Sequence, residues 1–144
     1  MPRKARIVIP RIPHHITQRG NNKQKVFRDD EDRRQYLDFF TYYCDEYDLN
    51  IWAYCLMENH VHFIGVPEEK ESMASVFQIA HMRYTQYFNT KYERVGHLWQ
   101  SRYYSSPLDE KHTFAAVRYV ETNLVRAGEV EKPESYTWSS AGSR

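Results

Sequence analysis

Two short stretches of this chain combine residue types that could do chemistry together. One is His60-Val61-His62, inside the run Glu58-Asn59-His60-Val61-His62-Phe63-Ile64. The other is Tyr119-Val120-Glu121-Thr122-Asn123, close to the opposite end of the chain. Successive side chains of a strand point to opposite faces, so His60 and His62 share one face and Val61 and Phe63 the other. In a helix, residues four apart share a face, which projects Tyr119 and Asn123 together. Two neutral imidazoles are half of a divalent-metal site, and the side-chain carbonyl of Asn123 is a harder third donor suited to Mg²⁺ or Mn²⁺. Three protein ligands leave positions for phosphate oxygens, which the ion would polarise and orient for in-line attack. A phenol has a free pKa of about 10, so Tyr119 needs activation to act as nucleophile at neutral pH. Its attack on a DNA phosphate would give a phosphotyrosine and a free 3′-hydroxyl.

By itself the histidine pair is weak, because a chain with 7 His produces such spacings by chance. Its weight comes from the elements that must carry it. His14–Arg19 reads as a strand ending at the turn Gly20-Asn21-Asn22. Asp29–Asp48 reads as a helix, with acids in its first turn and Tyr36, Phe39, Phe40 and Tyr43 spaced by threes and fours. Asn50–Met57 and His60–Val66 form a hairpin across Glu58-Asn59. Glu71–Tyr92 is a second long helix, with Met73, Val76, Phe77, Ala80, Tyr84 and Tyr87 on one face. Gly96 breaks the chain there, His97–Ser105 reads as an aromatic-rich strand closed by Pro107, and Glu110–Ala127 is a third helix stopped by Gly128. The tail around Tyr136, Thr137 and Trp138 is expected to pack irregularly.

The order β-α-β-β-α-β followed by a helix gives an α+β, ferredoxin-like antiparallel sheet. Its first and third strands are central neighbours, and its two long helices share one face. The additional C-terminal helix, with Val117, Val120 and Leu124 as its apolar stripe, is left for the other face. That helix can then bring Tyr119 to the histidines, with small Ala115 and Ala116 beside it leaving room for a bound strand.

Composition narrows the setting. The 144 residues suffice for one domain, 1–144, with residues 1–13 as a basic N-terminal arm. Cys44 and Cys55 are too few for a disulfide framework and read as buried, reduced thiols. No apolar run approaches a membrane span and no signal-peptide pattern is present, so a cytoplasmic protein with no membrane partner is expected. Net charge is only +1, but Arg3, Lys4, Arg6, Arg11, Arg19 and Lys23 fall in an N-terminal stretch without acids, a candidate phosphate-binding surface. The 12 Tyr and 3 Trp supply faces on which single-stranded bases could stack.

Five stretches together resemble the REP-associated tyrosine transposases, a branch of the HUH single-strand transposases. They are His14–Asn22, Met57–Phe63, Gly96–Tyr103, Arg118–Gly128 and Tyr136–Ser140, in the family's order. The resemblance implies metal-dependent nicking and strand transfer of single-stranded DNA at short hairpins, through a 5′-phosphotyrosine on Tyr119. It implies a divalent metal on His60 and His62, with Asn123 as third ligand, and a monomer or homodimer whose tyrosine acts in cis or in trans. Arg19, Trp99, Arg102 and Arg126 resemble residues that lie near DNA or support the site. Where the family usually has proline, this chain has Leu124 and Glu58; leucine prolongs the helix smoothly, and Glu58 adds a carboxylate near the histidines. Two other readings of the same residues stay open. One is a non-catalytic nucleic-acid-binding ferredoxin-like module, the other a metal-dependent phosphodiesterase that uses water.

Overall fold

The computed structural model describes residues 7–126, with side chains as far as residue 121. The chain runs β1 (His14–Arg19), α1 (Asp30–Glu46), β2 (Leu49–Met57), β3 (His60–Pro67), α2 (Ser72–Lys91), β4 (Tyr104–Pro107) and α3 (Glu110–Arg126). The sheet order is β2-β3-β1-β4, antiparallel throughout, with β1 and β3 at its centre. This is the split arrangement the sequence order predicts. The Tyr136–Ser140 stretch, Arg3, Lys4 and Arg6 lie outside the described residues.

Alternation along the central strands decides the two faces. Ile16, Leu56, Val61 and Phe63 point to one side and meet Tyr36 and Phe40 of α1 and Met73, Val76, Phe77 and Tyr84 of α2 in the main core. Phe63 lies flat against Phe40, with ring centroids 4.3 Å apart. In β2 a register shift between Ile51 and Ala53 puts Ile51 and Tyr54 against the main core. It leaves Ala53, Cys55 and Met57 for the opposite face, where they meet Ile64 and Val120 of α3. A bulge of this kind inserts one residue and resets which side chains face which way. The helix α3 therefore rests on its own small apolar cluster, with Ala116 and Val117 packed beside it. Both thiols are free and buried, and burial pushes Cys44 up to about 12.

The start of α1 is tied to the end of α2. Asp29 caps α1 through the backbone N–H of Asp32 at 2.9 Å. Asp32, fully buried, accepts from the hydroxyls of Tyr92 (2.6 Å) and Tyr87 (2.9 Å) and from Lys91 Nζ (2.9 Å). Charge-assisted bonds on every side keep that carboxyl ionised in spite of its burial, below the usual carboxylate range.

One expected strand is shorter than its sequence suggests. Of His97–Ser105, only the last two residues are in β4, which runs on to Pro107. Before it the chain is irregular, touching the sheet through one bridge between Gly20 and Trp99. Ser101 sits at φ 49°, which no strand residue can adopt. Leu98 and Trp99 are buried in the main core, and the Gln100 N–H is spent on the Arg19 carbonyl at 2.9 Å. The aromatic content of this run serves packing, not pairing. Gly20, at the bend, has no room for a side chain: a Cβ there would lie 2.3 Å from the carbonyl oxygen of Gln24.

Candidate active site

The site forms where the centre of the sheet faces α3. In the β1–β3 register Thr17 lies opposite His62 and Arg19 opposite His60, so His15, one position further along the same face, lies diagonal to His62. Parity also separates the adjacent histidines of β1. His14 points into the protein, fully buried, its ring nitrogens bonded to the Ile12 carbonyl (2.7 Å) and the Ile9 N–H (3.3 Å). His15 points to the site.

Each site histidine has a partner at one nitrogen. His60 Nδ1 lies 2.6 Å from Asn59 Oδ1, an acceptor that requires the ring to carry its proton on Nδ1 and leaves Nε2 a lone pair. His62 Nδ1 lies 3.4 Å from His15 Nε2, a long contact. The two rings are within 10° of parallel, yet their centroids are 5.6 Å apart. Parallel rings at that separation with facing nitrogens meet edge to edge, close to one plane, rather than face over face. Tyr119 closes the group, its ring nearly perpendicular to both imidazoles, with centroids 6.3 Å from His62 and 6.1 Å from His15 at interplanar angles of 77° and 76°. Val120, fully buried on the next position, anchors α3 and fixes the direction in which Tyr119 projects. Tyr119 itself is 45 % exposed, open to a bound chain.

These groups border a cleft of about 650 Å³, with Arg19, Arg102, Gln100 and Tyr104 on its walls. Burial drives the imidazoles toward the neutral form. His62 falls to about 3 through desolvation, reinforced by His60, His15 and Arg19. Desolvation also lowers His60, with Arg19 adding to it, and lowers His15. At neutral pH these rings carry lone pairs, the form that binds a metal. Two neutral imidazoles with Nε2 left available, beside a cleft open to oxygen donors, fit a divalent ion. Among the described residues no group of three His, Cys, Asp or Glu side chains could hold one.

A model of the family described as IS200-like transposase matches residues 9–123, most of the chain. The chain belongs to the IS200-like transposase family. It is on that ground a transposase-family enzyme. Two solved structures share its fold. One is described as a REP-associated tyrosine transposase bound to a REP hairpin, with TM-score 0.79, 17 % identity, and 99 % of this chain and 84 % of that one covered. The other is a putative transposase from Deinococcus radiodurans R1, with TM-score 0.56, 18 % identity, and 85 % and 97 % covered. No curated protein matches the sequence. Among the described residues no helix of the transposase is long and apolar enough to cross a membrane.

The fold brings His60, His62 and Tyr119 together, with Arg19 and Arg102 on the same cleft. Asn123 and Arg126 fall in α3, but their side chains lie outside the described residues. Others of the expected DNA-facing residues are elsewhere. Arg11 borders a separate apolar cavity beside Trp52 and Phe114. Lys23 is exposed in the turn after β1 and is not part of the cleft wall. Trp99 is packed in the core behind β1. Glu58, in the hairpin turn, is 3.8 Å from Lys25 and is not on the cleft wall. The residue that sequence reasoning misses is His15. Its signal was present, since His15, Thr17 and Arg19 alternate on one face of a strand predicted to neighbour the histidine strand. Only the register was lacking.

Proposed function

We propose that the chain nicks and rejoins single-stranded DNA through Tyr119, with a divalent metal held by His60, His62 and the side-chain oxygen of Asn123. The observation that carries this reading is Tyr119 within about 6 Å of both His15 and His62, ring centroid to ring centroid, in a cleft bordered by two arginines. A bound Mn²⁺ or Mg²⁺ would supply the positive charge that polarises the phosphate. Arg19 and Arg102 bind and orient the strand through its backbone. The Tyr119 oxygen forms a bond to phosphorus while the bond to the 3′ oxygen breaks. The phenol loses one proton and the departing 3′ oxygen gains one, so the step balances. The 5′ end stays covalently attached to Tyr119, which conserves the bond for rejoining to another 3′-hydroxyl.

The structural likeness to a hairpin-bound protein supports a substrate with a short hairpin beside the nicked strand. Of the two ions, Mn²⁺ suits a site with two imidazoles better than Mg²⁺, which prefers all-oxygen shells. The test is incubation of the purified protein with Mn²⁺ or Mg²⁺ and labelled hairpin oligonucleotides, resolved on denaturing gels beside Tyr119→Phe and His62→Ala. A covalent protein–DNA adduct that needs metal and disappears in both variants is expected. Cleavage that persists in Tyr119→Phe without an adduct would instead mean attack by water.

A further inference from the structure

Arginines on the cleft wall can hold phosphates, but a strand brought to Tyr119 also carries bases, which need faces to lie on. Tyr84, Tyr87, Tyr92, Tyr103 and Tyr104 follow one another along the chain, and the fold commits all but the last elsewhere. Tyr84 is fully buried in the main core. The Tyr87 and Tyr92 hydroxyls donate to Asp32, where α1 meets α2. Tyr103 lies against Phe77 of the main core, with centroids 4.6 Å apart. Tyr104 is instead 62 % exposed on the wall of the catalytic cleft. Of the Trp and Tyr side chains between His97 and Ser105, it is the one that packing leaves out.

Strand register gives its place relative to the site. Tyr104 of β4 pairs with Thr17 of β1, and Thr17 pairs in turn with His62 of β3. Paired residues project to the same face, so His62, Thr17 and Tyr104 form one row on the site's side of the sheet. Neighbouring strands lie about 4.8 Å apart, which sets the Tyr104 backbone about 10 Å from that of His62. Thr17 and Ser106, beside Tyr104 on that face, are too small to cover its ring. β4 is an edge of the sheet, so the ring stands at the rim of the cleft, and Arg102 lies two residues before it on the same wall. An open aromatic face next to a guanidinium matches the two parts of a nucleotide, base and phosphate.

We propose that Tyr104 is the platform for one unpaired base of the bound strand, in a nucleotide adjoining the phosphate that Tyr119 attacks. The inference rests on the DNA reading above and deepens it. The base lies on the Tyr104 ring, Arg102 meets a neighbouring phosphate, and the strand continues across Thr17 toward His62 and Tyr119. Holding the strand at the ring on β4 and at the histidines on β3 fixes its direction across β1, which brings the attacked phosphate into line with the phenol. Every base has a π face, so the platform positions the strand without choosing its sequence.

The test uses the full chain and a stem-loop DNA with single-stranded flanks, each flank position made abasic in turn, with binding followed by fluorescence anisotropy in the absence of metal. In the wild-type protein one flank position should weaken binding about five- to hundred-fold when its base is removed. Tyr104→Ala should weaken binding of the intact DNA by a similar factor and lose the sensitivity at that position alone, so that the two changes together cost no more than either. Tyr104→Phe, which keeps the ring, should match the wild type. A defect in folding would weaken every position alike, so the position-specific loss separates contact from structure. An unchanged abasic profile in Tyr104→Ala, no sensitive flank position in the wild type, or a Tyr104→Phe as weak as Tyr104→Ala would overturn the platform while leaving DNA binding intact. No binding of the parent oligonucleotide by the wild type would overturn the DNA reading and the platform with it.

Discussion

Replacing His15 by alanine should weaken metal binding by about ten- to hundred-fold without unfolding the protein. His15 is not expected to touch the ion. Its effect runs through His62, whose Nδ1 it meets at 3.4 Å in a nearly coplanar arrangement. For His62 to offer Nε2 to a metal while neutral, its proton must sit on Nδ1, and His15 Nε2 is the acceptor that favours that tautomer. Alanine removes the acceptor and opens space beside the ring, so both tautomer and ring orientation are released. Outer-shell partners of this sort are worth about 10–100-fold in metal affinity, equivalent to about 1.4–2.7 kcal/mol. An opposing effect is weaker: His15 contributes to the lowering of His62, so its loss moves His62 back toward the ordinary imidazole value. Calorimetric titration with Mn²⁺ gives the affinity, and ¹⁵N-edited NMR of the metal-free protein gives the His62 tautomer. An unchanged affinity together with an unchanged tautomer would refute the reasoning. A loss far beyond hundred-fold would mean that His15 binds the metal itself.

Stability should fall on mild acidification. His62 and His81 are both held near 3 in the folded protein by burial, against an ordinary 6.5. Between those values the unfolded chain binds the extra protons, so their neutral burial is fully tolerated above about pH 6.5 and penalised as pH falls, by about 2 kcal/mol for each between pH 7 and pH 5. Thermal denaturation of the metal-free protein at a series of pH values checks this, and a midpoint flat over that interval would contradict it. Gly20→Ala places a Cβ 2.3 Å from the Gln24 carbonyl oxygen and 3.0 Å from Val26 Cγ1, and should destabilise the fold by about 1–3 kcal/mol in urea titrations. Because the Gly20 N–H also bonds the Asn59 carbonyl at 2.7 Å, the same variant should lower Mn²⁺ affinity through Asn59 and His60. Wild-type stability and affinity together would show that the turn yields freely.

The chain's local patterns made most of the elements legible, and non-local pairing accounts for what they missed. Ile16, Val61 and Phe63 alternate, and Tyr36, Phe40, Met73, Val76 and Ala80 recur at helical spacing, because each element must present one apolar side to a single core. The run from His97 to Ser105 has the residue types of a strand, but those types describe a fit to a half-buried surface more than a backbone preference. Here Leu98 and Trp99 meet that surface from a loop. Charge was the poorest guide. Arg11 and Arg19 look equivalent along the sequence, yet one borders an apolar cavity near Trp52 and the other lies opposite His60. A count of cations says nothing about which face of the sheet receives them.

The two halves of the site also rest on different supports, and that bears on how each would fail. The histidines belong to central strands bonded on both sides and backed by the main core. Their separation is therefore fixed as firmly as anything in the fold. Tyr119 belongs to α3, which is held through Val120, Ala116 and Val117 against Ala53, Cys55, Met57 and Ile64. Those contacts exist because the shift between Ile51 and Ala53 turns Ala53, Cys55 and Met57 away from the main core. Without that extra residue the small side chains of β2 would face the wrong way and α3 would have no seat. The position of the phenol beside His15 and His62 thus depends on an irregularity in an edge strand, remote in sequence from Tyr119 itself. A deletion at Trp52 would leave the histidines where they are and remove the basis for placing the tyrosine.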